Sequence, residues 1–189
     1  MRLLYALFLC ASFASYGGID GRFRIIDSYE DGPEGGKIEN FVILTGNHRF
    51  TLVPPADYHL KVDETRKQIL FSSTNKEGMS IQVTTKFPGG LPIEEVLKRN
   101  VLQRYSGAAI LRSTVCYTGG QTGWLIDVKR VFSKELSLTT RHAFVPWAGG
   151  SVEFILSTES DEFEGRRNLF GGLLNSFRIA PFKAGDIYR

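Results

Sequence analysis

Short stretches of alternating apolar and polar residues fill most of the chain from Ile38 onward. Tyr58 to Asp63 is an example: every second side chain lies on one face, which is typical of a half-buried β-strand. The pattern predicts strands near residues 41–44, 48–53, 58–63, 68–72 and 81–87, and later near 108–117, 124–128, 136–145 and 152–156. Glycine and proline separate many of them, because these residues interrupt a strand ladder. Strands joined in this way are expected to pair antiparallel.

Two segments have apolar residues at helical spacing instead. The first begins at Pro92, which suits the first position of a helix, and ends at Gly107. The second begins near the capping residues Ser160 and Asp161 and carries an apolar stripe to Phe177. One helix thus lies between two strand groups and one closes the domain. Two amphipathic helices covering one antiparallel sheet predict an α+β fold, an α/β/α sandwich.

The first fourteen residues have the organisation of a secretory signal peptide. A positively charged start at residues 1–2 precedes an apolar run at 3–11, and the small residues Ser12 and Ala14 form a cleavage site. The run is too short to cross a bilayer, which needs about 20 apolar residues. We therefore expect cleavage after Ala14, export to the periplasm or the medium, and no transmembrane span in the mature chain.

Two alternatives to a cleaved signal peptide remain open for this N-terminus. Cys10 suggests a bacterial lipoprotein, but Phe8 and Leu9 precede it where such signals have small residues. A buried N-terminal strand or helix is the other alternative. Once the signal is removed, Cys116 is the only cysteine, so no intrachain disulfide is expected. Cys116 lies in a predicted strand and is interpreted as a small buried hydrophobe.

The remainder of the chain is predicted to be one domain with short extensions. Residues 15–37 are rich in glycine and acidic side chains and are interpreted as a linker, with one short strand around Phe23 and Ile25. Residues 38–182 are expected to form the α+β domain, and 183–189 a loose tail.

Composition and charge exclude two classes of protein. The chain is 42% hydrophobic and 12% aromatic, which is ample for a core and too apolar for an intrinsically disordered protein. Its net charge of +3 comes from 23 basic and 20 acidic residues. That balance argues against a nucleic-acid partner, because nucleic-acid-binding proteins usually show a clustered basic stripe.

The sequence contains no signature of catalysis, of a cofactor or of a metal. His48, His59 and His142 have no cysteine or carboxylate at the spacing of metal ligands. The nucleophile elbow G-x-S-x-G is absent, and residues 149–151 are interpreted as a hairpin turn. Residues 119–123 lack the Lys-Ser/Thr pair of a phosphate-binding loop and precede a predicted strand. We therefore assign no catalytic, cofactor-binding or metal-ligating residue.

Five residues are candidates for contacts with a partner protein. These are Arg112, Lys129, Arg130, Arg141 and Trp147. The four basic residues lie on neighbouring predicted strands, and on a shared sheet face they would bind an acidic partner; a solvated face is the alternative. Trp147 lies at a predicted hairpin tip, where an exposed aromatic residue often marks a contact surface. Folding back to cap the core is the alternative for this side chain.

Several short motifs of the chain resemble the PsbP/Mog1 superfamily of α/β/α sandwich domains. They comprise residues 50–55 before 58–60, 78–83, the helix from Ile93, 122–124, 152–157 and 170–177. The resemblance covers roughly residues 40–180 and includes no catalytic motif. It implies non-enzymatic work, as in accessory subunits of photosynthetic complexes, GTPase-binding factors and export-associated domains. No functional residue is carried over from it.

These observations favour an exported, non-enzymatic binding or accessory domain that docks on a protein partner. A carrier of an apolar ligand between sheet and helices is an alternative, motivated by the phenylalanine-rich closing helix. A hydrolase with a non-local site is another, and Ser151, His142 and Asp127 are one set that can be drawn for it.

Overall fold

A computed structural model of the chain describes residues 23–32, 34–46, 48–56, 58–72, 78–84 and 90–180. Its strands are β1 (Phe23–Asp31), β2 (Lys37–Thr45), β3 (His48–Leu52), β4 (His59–Asp63), β5 (Gln68–Ser72), β6 (Gly78–Thr84), β7 (Ala109–Thr118), β8 (Gln121–Val131), β9 (Ser137–Trp147), β10 (Gly150–Glu159) and β11 (Arg178–Ala180). Its helices are α1 (Glu94–Arg104) and α2 (Phe163–Ser176). The predicted signal peptide at 1–14 and the predicted tail at 183–189 lie outside the described residues.

The strands form two antiparallel sheets where the sequence predicted one. The larger sheet has the order β4-β5-β6-β10-β9-β8-β7, and the smaller has the order β1-β2-β3-β11. The predicted strands are found, because alternation along the chain is a local property. Their division between sheets is not local. The chain leaves the smaller sheet after β3, where Pro54 and Pro55 interrupt the ladder.

Strand β1 corrects the linker that we expected over residues 15–37. It pairs with β2 along its whole length, from Phe23 opposite Thr45 to Asp31 opposite Lys37. The sequence indicated only a short strand around Phe23 and Ile25, because the first residue of β1 alone is fully buried and acidic side chains fill its exposed end. The smaller sheet therefore extends to residue 23, ahead of the boundary expected at Ile38.

The main core lies between the larger sheet on one side and α2 with the smaller sheet on the other. Phenylalanines from all three layers meet there: Phe50 from β3, Phe154 from β10 and Phe177 directly after α2. The ring centroid of Phe177 lies 5.7 Å from that of Phe50 and 5.0 Å from that of Phe154. Burying each such side chain contributes about 1.5–3 kcal/mol, so this contact joins the two sheets.

A second, smaller core lies on the opposite face of the larger sheet. Leu97 and Val101 of α1 pack there against Ile126, Val128 and Phe144. With α1 on one face and α2 on the other, the α+β sandwich predicted from the sequence is confirmed. Within the described part of the chain, neither helix is long and apolar enough to cross a bilayer.

Candidate partner-binding edge

Strand β7 is the last strand of the larger sheet. Within the described chain it pairs with β8 on one side and leaves its other side open. The edge of a sheet presents unpaired backbone N–H and C=O groups, which pair readily with another strand. Folded proteins usually blunt such an edge with charged side chains, proline or a β-bulge.

The first part of β7 carries two of these protective features. The pairing with β8 shifts register between Ile110 and Arg112, which makes Leu111 the extra residue of a β-bulge. Arg112 is exposed and is the one charged side chain of the strand. From Ser113 to Thr118 the strand has no charge, no proline and no register shift. We call Ser113–Thr118 the open edge.

Side chains along the open edge alternate between exposed and buried positions. Val115 is 39% exposed and Tyr117 is 78% exposed, whereas Cys116 and Thr118 are buried. Tyr117 lies opposite Thr122 on β8. The open edge therefore displays apolar and aromatic side chains beside unpaired backbone groups, the combination that strand-binding domains use.

The other sheet edges of the described chain are less suited to pairing. Strand β1 includes four charged side chains among its nine residues. Strand β4 has five residues, among them Lys61 and Asp63. Strand β11 has three residues. Short length and charge both discourage pairing with another chain, so the open edge of β7 is the accessible one.

The turn after β7 is held firmly against the end of α2. Gly119 and Gly120 have φ angles of 60° and 74°, which a two-residue type I′ hairpin turn requires. A Cβ atom on Gly119 would lie 2.9 Å from the Phe177 ring, so a larger residue would have to displace that ring. The Thr118 hydroxyl donates a 2.7 Å hydrogen bond to the carbonyl of Leu174. The end of the open edge is thereby fixed in position.

A cleft of about 350 Å³ lies beside this turn, lined by residues 117–122 with Leu174, Asn175 and Arg178. Among the described residues of this lining, Arg178 is the one that carries a formal charge. Its Nη1 donates to the carbonyl oxygens of Asn175 at 2.5 Å and Phe177 at 2.8 Å. Both bonds anchor the guanidinium at the mouth of the cleft.

Three of the four basic residues predicted as partner contacts lie on one face of the larger sheet. Arg112 and Arg141 both lie opposite Asp127, and Lys129 follows Asp127 by two residues on β8. Successive side chains of a strand point to opposite faces, so Arg130 lies on the other face. The four residues therefore do not share the single face that the sequence analysis considered.

Arg130 is enclosed by aromatic rings on the α1 side of the sheet. Its guanidinium carbon lies 4.4 Å from the ring centroid of Tyr105 and 5.4 Å from that of Phe132. A guanidinium at these distances gains cation–π attraction. Arg130 is half-buried and so is Lys129, which leaves Arg112 as the exposed member of the group.

Arg141 belongs to the interior and is committed to Asp127. Its Nε and Nη2 donate to the Oδ1 and Oδ2 atoms of Asp127, each at 2.7 Å. Its guanidinium carbon also lies 5.1 Å from the ring centroid of Phe163. The signal that could have revealed this pair is the acidic Asp127 between the apolar residues Ile126 and Val128.

Trp147 folds back onto the core, which is the second of the two positions considered from the sequence. Its side chain is 9% exposed. The ring lies edge-on to His48 at 4.3 Å and to Phe50 at 5.5 Å between centroids. A Cβ atom on Gly149 would lie 2.2 Å from this ring, so the hairpin tip fits closely over it.

A buried ionic cluster centred on Glu153 was missed by the sequence analysis. His142 Nδ1 lies 2.8 Å from Glu153 Oε1, and Arg104 Nη1 donates to Oε1 and Oε2 at 2.6 and 2.8 Å. Burial raises the pKa of Glu153, but the hydrogen bond and charge of His142 and those of Arg104 together outweigh it and lower the pKa below its usual value. The signal in the sequence that could have revealed this cluster is the acidic Glu153 between the apolar residues Val152 and Phe154.

This cluster does not form the hydrolase site considered from the sequence. His142 is fully buried beneath α1, and its Nε2 has no hydrogen-bond partner in the structure that is described. His142 lies opposite Ile126 on β8. Asp127 is the next residue of β8, so its side chain and the Arg141 side chain that it bonds lie on the other face of the sheet. The set Ser151, His142 and Asp127 is therefore not brought together. Likewise, the described residues contain no group of three His, Cys, Asp or Glu placed to hold a metal ion.

A second cleft, of about 480 Å³, lies at the same end of the sandwich. His48, Gln121, Trp147 and Ile179 contribute to its lining. Gln121 also lines the cleft of Arg178, so the two clefts adjoin at the β7–β8 turn. The lining of the second cleft is mainly apolar.

Comparison with known proteins gives structural similarity only. No protein-family model and no curated protein matches the chain. The Ran-binding protein Mog1p of Saccharomyces cerevisiae matches with a TM-score of 0.52 at 10% identity, over 85% of this chain and 100% of that one. A Mog1 mutant matches at 0.51 and 10%, over 86% and 99%. The cyanobacterial PsbP protein (CyanoP) from Synechocystis sp. PCC 6803 gives 0.48 at 16%, over 89% and 99%.

The two Mog1 structures confirm the fold-level resemblance to PsbP/Mog1 domains that the sequence motifs indicated. At 10% identity this similarity concerns the fold alone. Function has to be argued from the residues of this chain.

Proposed function

We propose that this chain is a non-enzymatic binding domain that docks on a protein partner by adding a strand of the partner to β7. The observation that carries the proposal is the open edge, Ser113–Thr118, which has no strand on its outer side within the described chain, carries no charge and exposes Val115 and Tyr117. In strand addition, backbone hydrogen bonds supply affinity and alternate side chains supply specificity.

Two further observations support a binding role. The fold is shared with Mog1p, which is described as a Ran-binding protein, so a protein partner has a precedent on this architecture. The one buried histidine–carboxylate pair lies beneath α1 and is occupied by Arg104, which leaves it no access to a substrate in the described chain. The signal-like pattern of residues 1–14 supports an exported protein.

Site-specific photocrosslinking tests the docking edge. A benzophenone amino acid replaces Tyr117 in the full chain, expressed in the organism that makes it, and adducts are identified by mass spectrometry. One stoichiometric protein adduct is expected. The same residue placed at Phe132, which is 57% exposed at the far end of β8, is expected to give no such adduct.

A matched pair of substitutions shows whether the partner uses the open edge. Val115→Lys places a charge on the open edge, and charged side chains block strand pairing. Leu111→Lys changes an exposed apolar residue of the same strand at the bulge, outside the open edge. Loss of the complex in Val115→Lys alone supports the proposal. Equal behaviour of the two variants, with both folded by circular dichroism, contradicts it.

Amide hydrogen exchange distinguishes strand addition from contact through side chains. Newly formed backbone hydrogen bonds slow exchange at the residues that make them. Formation of the complex is therefore expected to protect amides within Ser113–Thr118. Unchanged exchange in this segment would mean that the partner binds elsewhere.

The second cleft favours one further candidate function, a carrier for a small apolar ligand. Its volume of about 480 Å³ and its His48 and Trp147 rings are typical of a small-molecule site. A ligand of the folded state must raise thermal stability. Thermal melts of the chain with lauric acid and with 1-naphthol test this candidate; no shift with either probe counts against it.

A further inference from the structure

The open edge and the cleft of Arg178 are parts of one continuous surface. Tyr117 and Thr118 end the open edge and also line the cleft. A strand advances about 3.3 Å per residue, so a partner strand that passes Thr118 by one or two residues enters the cleft. Whatever the partner carries at that point meets the side chains of the lining.

The lining of this cleft has the chemistry of an anion site. Its polar groups include the hydroxyl of Thr122 and the amides of Gln121 and Asn175, and the one formal charge among its described residues is Arg178. The described residues of the lining include no acidic side chain that would compete for the guanidinium. A negatively charged group is therefore favoured over a neutral one.

Arg178 is held with one side of its guanidinium free for a ligand. Nη1 is used by the carbonyls of Asn175 and Phe177, and Arg178 makes no other hydrogen bond in the described structure. Nε and Nη2 keep their three N–H donors. Arg141 donates to the carboxylate of Asp127 through its own Nε and Nη2, so the chain already contains one bidentate arginine–carboxylate pair of this kind.

We infer that the cleft of Arg178 binds the side-chain carboxylate of an aspartate or glutamate in the partner's strand, one or two residues beyond the stretch that pairs with the open edge. This inference rests on the proposed function. Arg112, directly before the open edge, is also cationic, and β7 itself carries no acidic residue. Glu94 of α1 lies beside Ser113, so the Thr118 end of the edge, next to Arg178, is the end that favours a carboxylate. The partner segment is an extended peptide with one acidic residue beyond the Thr118 end, and its carboxylate fixes the register of the peptide on β7.

Selection from a random decapeptide library displayed on phage tests the inference without knowledge of the partner. The full chain, the Arg178→Glu variant and the Val115→Lys variant are used as parallel baits. The wild-type chain is expected to enrich peptides rich in β-branched and aromatic residues with Asp or Glu near one end. Arg178→Glu is expected to replace that acidic preference by Lys or Arg. Val115→Lys is expected to enrich none of these sequences.

The possible results separate the inference from the proposed function. Enriched β-type peptides without an acidic preference overturn the inference and leave strand addition intact. An acidic preference that survives in Arg178→Glu also overturns it, because the carboxylate then binds elsewhere. If the wild-type chain enriches no peptide above a bare-support control, strand addition itself is contradicted.

A binding measurement provides a second readout with a milder variant. An enriched peptide is compared with the peptide in which its acidic residue becomes Asn or Gln. A hydrogen bond to a charged group is worth about tenfold or more in affinity, so the wild-type chain should prefer the acidic peptide by that factor. Arg178→Gln should bind both peptides equally, and Arg167→Gln, which removes a surface guanidinium outside the cleft, should retain the preference. An unchanged preference in Arg178→Gln would contradict the assignment.

Discussion

Arg141 on β9 donates two parallel hydrogen bonds to Asp127 on β8, from Nε to Oδ1 and from Nη2 to Oδ2, each 2.7 Å long. The two residues are 7% and 5% exposed, so water screens neither charge. The pair is bidentate and charge-assisted, which makes it geometrically specific. It fixes the alignment of the neighbouring strands β8 and β9, and removing one member leaves the other charge buried without a partner.

Asp127→Ala is therefore expected to lower the free energy of unfolding by about 3–5 kcal/mol, the cost of stranding a buried charge. The double variant Asp127→Leu with Arg141→Met should recover most of this loss, because a buried pair often gains little over apolar residues of similar volume. Urea denaturation measures both. Arg112→Ala is the control: Arg112 lies opposite the same Asp127 but is exposed, and its removal should cost under about 0.5 kcal/mol. A larger cost for Arg112→Ala would show that Asp127 depends on both arginines.

The buried carboxylate of Glu153 should make the free energy of unfolding fall as the pH is lowered. Its pKa is lowered in the folded state, because His142 and Arg104 outweigh the effect of burial. The unfolded chain then binds the proton first as the pH falls. The stabilisation is complete above the unfolded pKa, and it is lost as the pH drops through the lower pKa of the folded state.

Glu153→Gln is expected to unfold more easily at pH 7 and to show a flatter loss of stability from about pH 5 to pH 3 than the wild-type chain. Urea denaturation at several pH values in this range measures the difference. Glu164→Gln is the matched control, because Glu164 pairs with Arg167 at the surface. The prediction fails if Glu164→Gln flattens the acid dependence as much as Glu153→Gln does.

The sequence predicts the elements of this fold better than their partners. Strand and helix periods depend on neighbours along the chain, so the stripe from Phe163 to Phe177 and the alternation around Tyr58 were recognisable. The buried state of Arg141 was not, because it depends on Asp127 lying opposite on another strand. The same holds for Trp147, whose position depends on His48 and Phe50 from the smaller sheet. The openness of β7 depends on strand order, which no local pattern reports.

The contact between Gly149 and Trp147 gives a test of this packed hairpin tip. A Cβ atom at residue 149 would lie 2.2 Å from the indole ring, which is confined by Phe50 and His48. Gly149→Ala must displace the ring, and overpacking of this kind costs about 1–3 kcal/mol. In a Trp124→Phe background, the remaining Trp147 fluorescence should shift to the red as the ring becomes wetter.

Gly171→Ala is the control for Gly149→Ala. Gly171 lies inside α2, and a Cβ atom there meets nothing within 4 Å. Alanine favours a helix interior over glycine, so this variant should gain about 0.5–1 kcal/mol. Opposite signs for the two glycine-to-alanine changes are therefore expected. Equal effects would mean that the close approach of Gly149 to Trp147 does not constrain the hairpin.

Cys116 on the open edge should be unreactive despite its place on an accessible strand. Its side chain is 8% exposed and points into the sandwich, opposite Gly123 of β8. Burial raises the pKa of its thiol to about 11, and a backbone hydrogen bond with Gly123 offsets only part of this effect. Since the thiolate is the nucleophile, only about 0.1% of the side chain is reactive at pH 8.

Alkylation by iodoacetamide of a Cys10→Ser variant measures this reactivity at Cys116 alone. The folded chain should react at least a hundredfold more slowly at pH 8 than the chain in urea, because a free thiol has a pKa near 8.5. The rate should rise about tenfold per pH unit up to pH 10, as the thiolate fraction does. Stability should fall in the same range, because the unfolded thiol loses its proton first. Rapid labelling of the folded chain at pH 8 would mean that β7 turns this residue outward, and the assignment of Val115 and Tyr117 to the exposed face would fail with it.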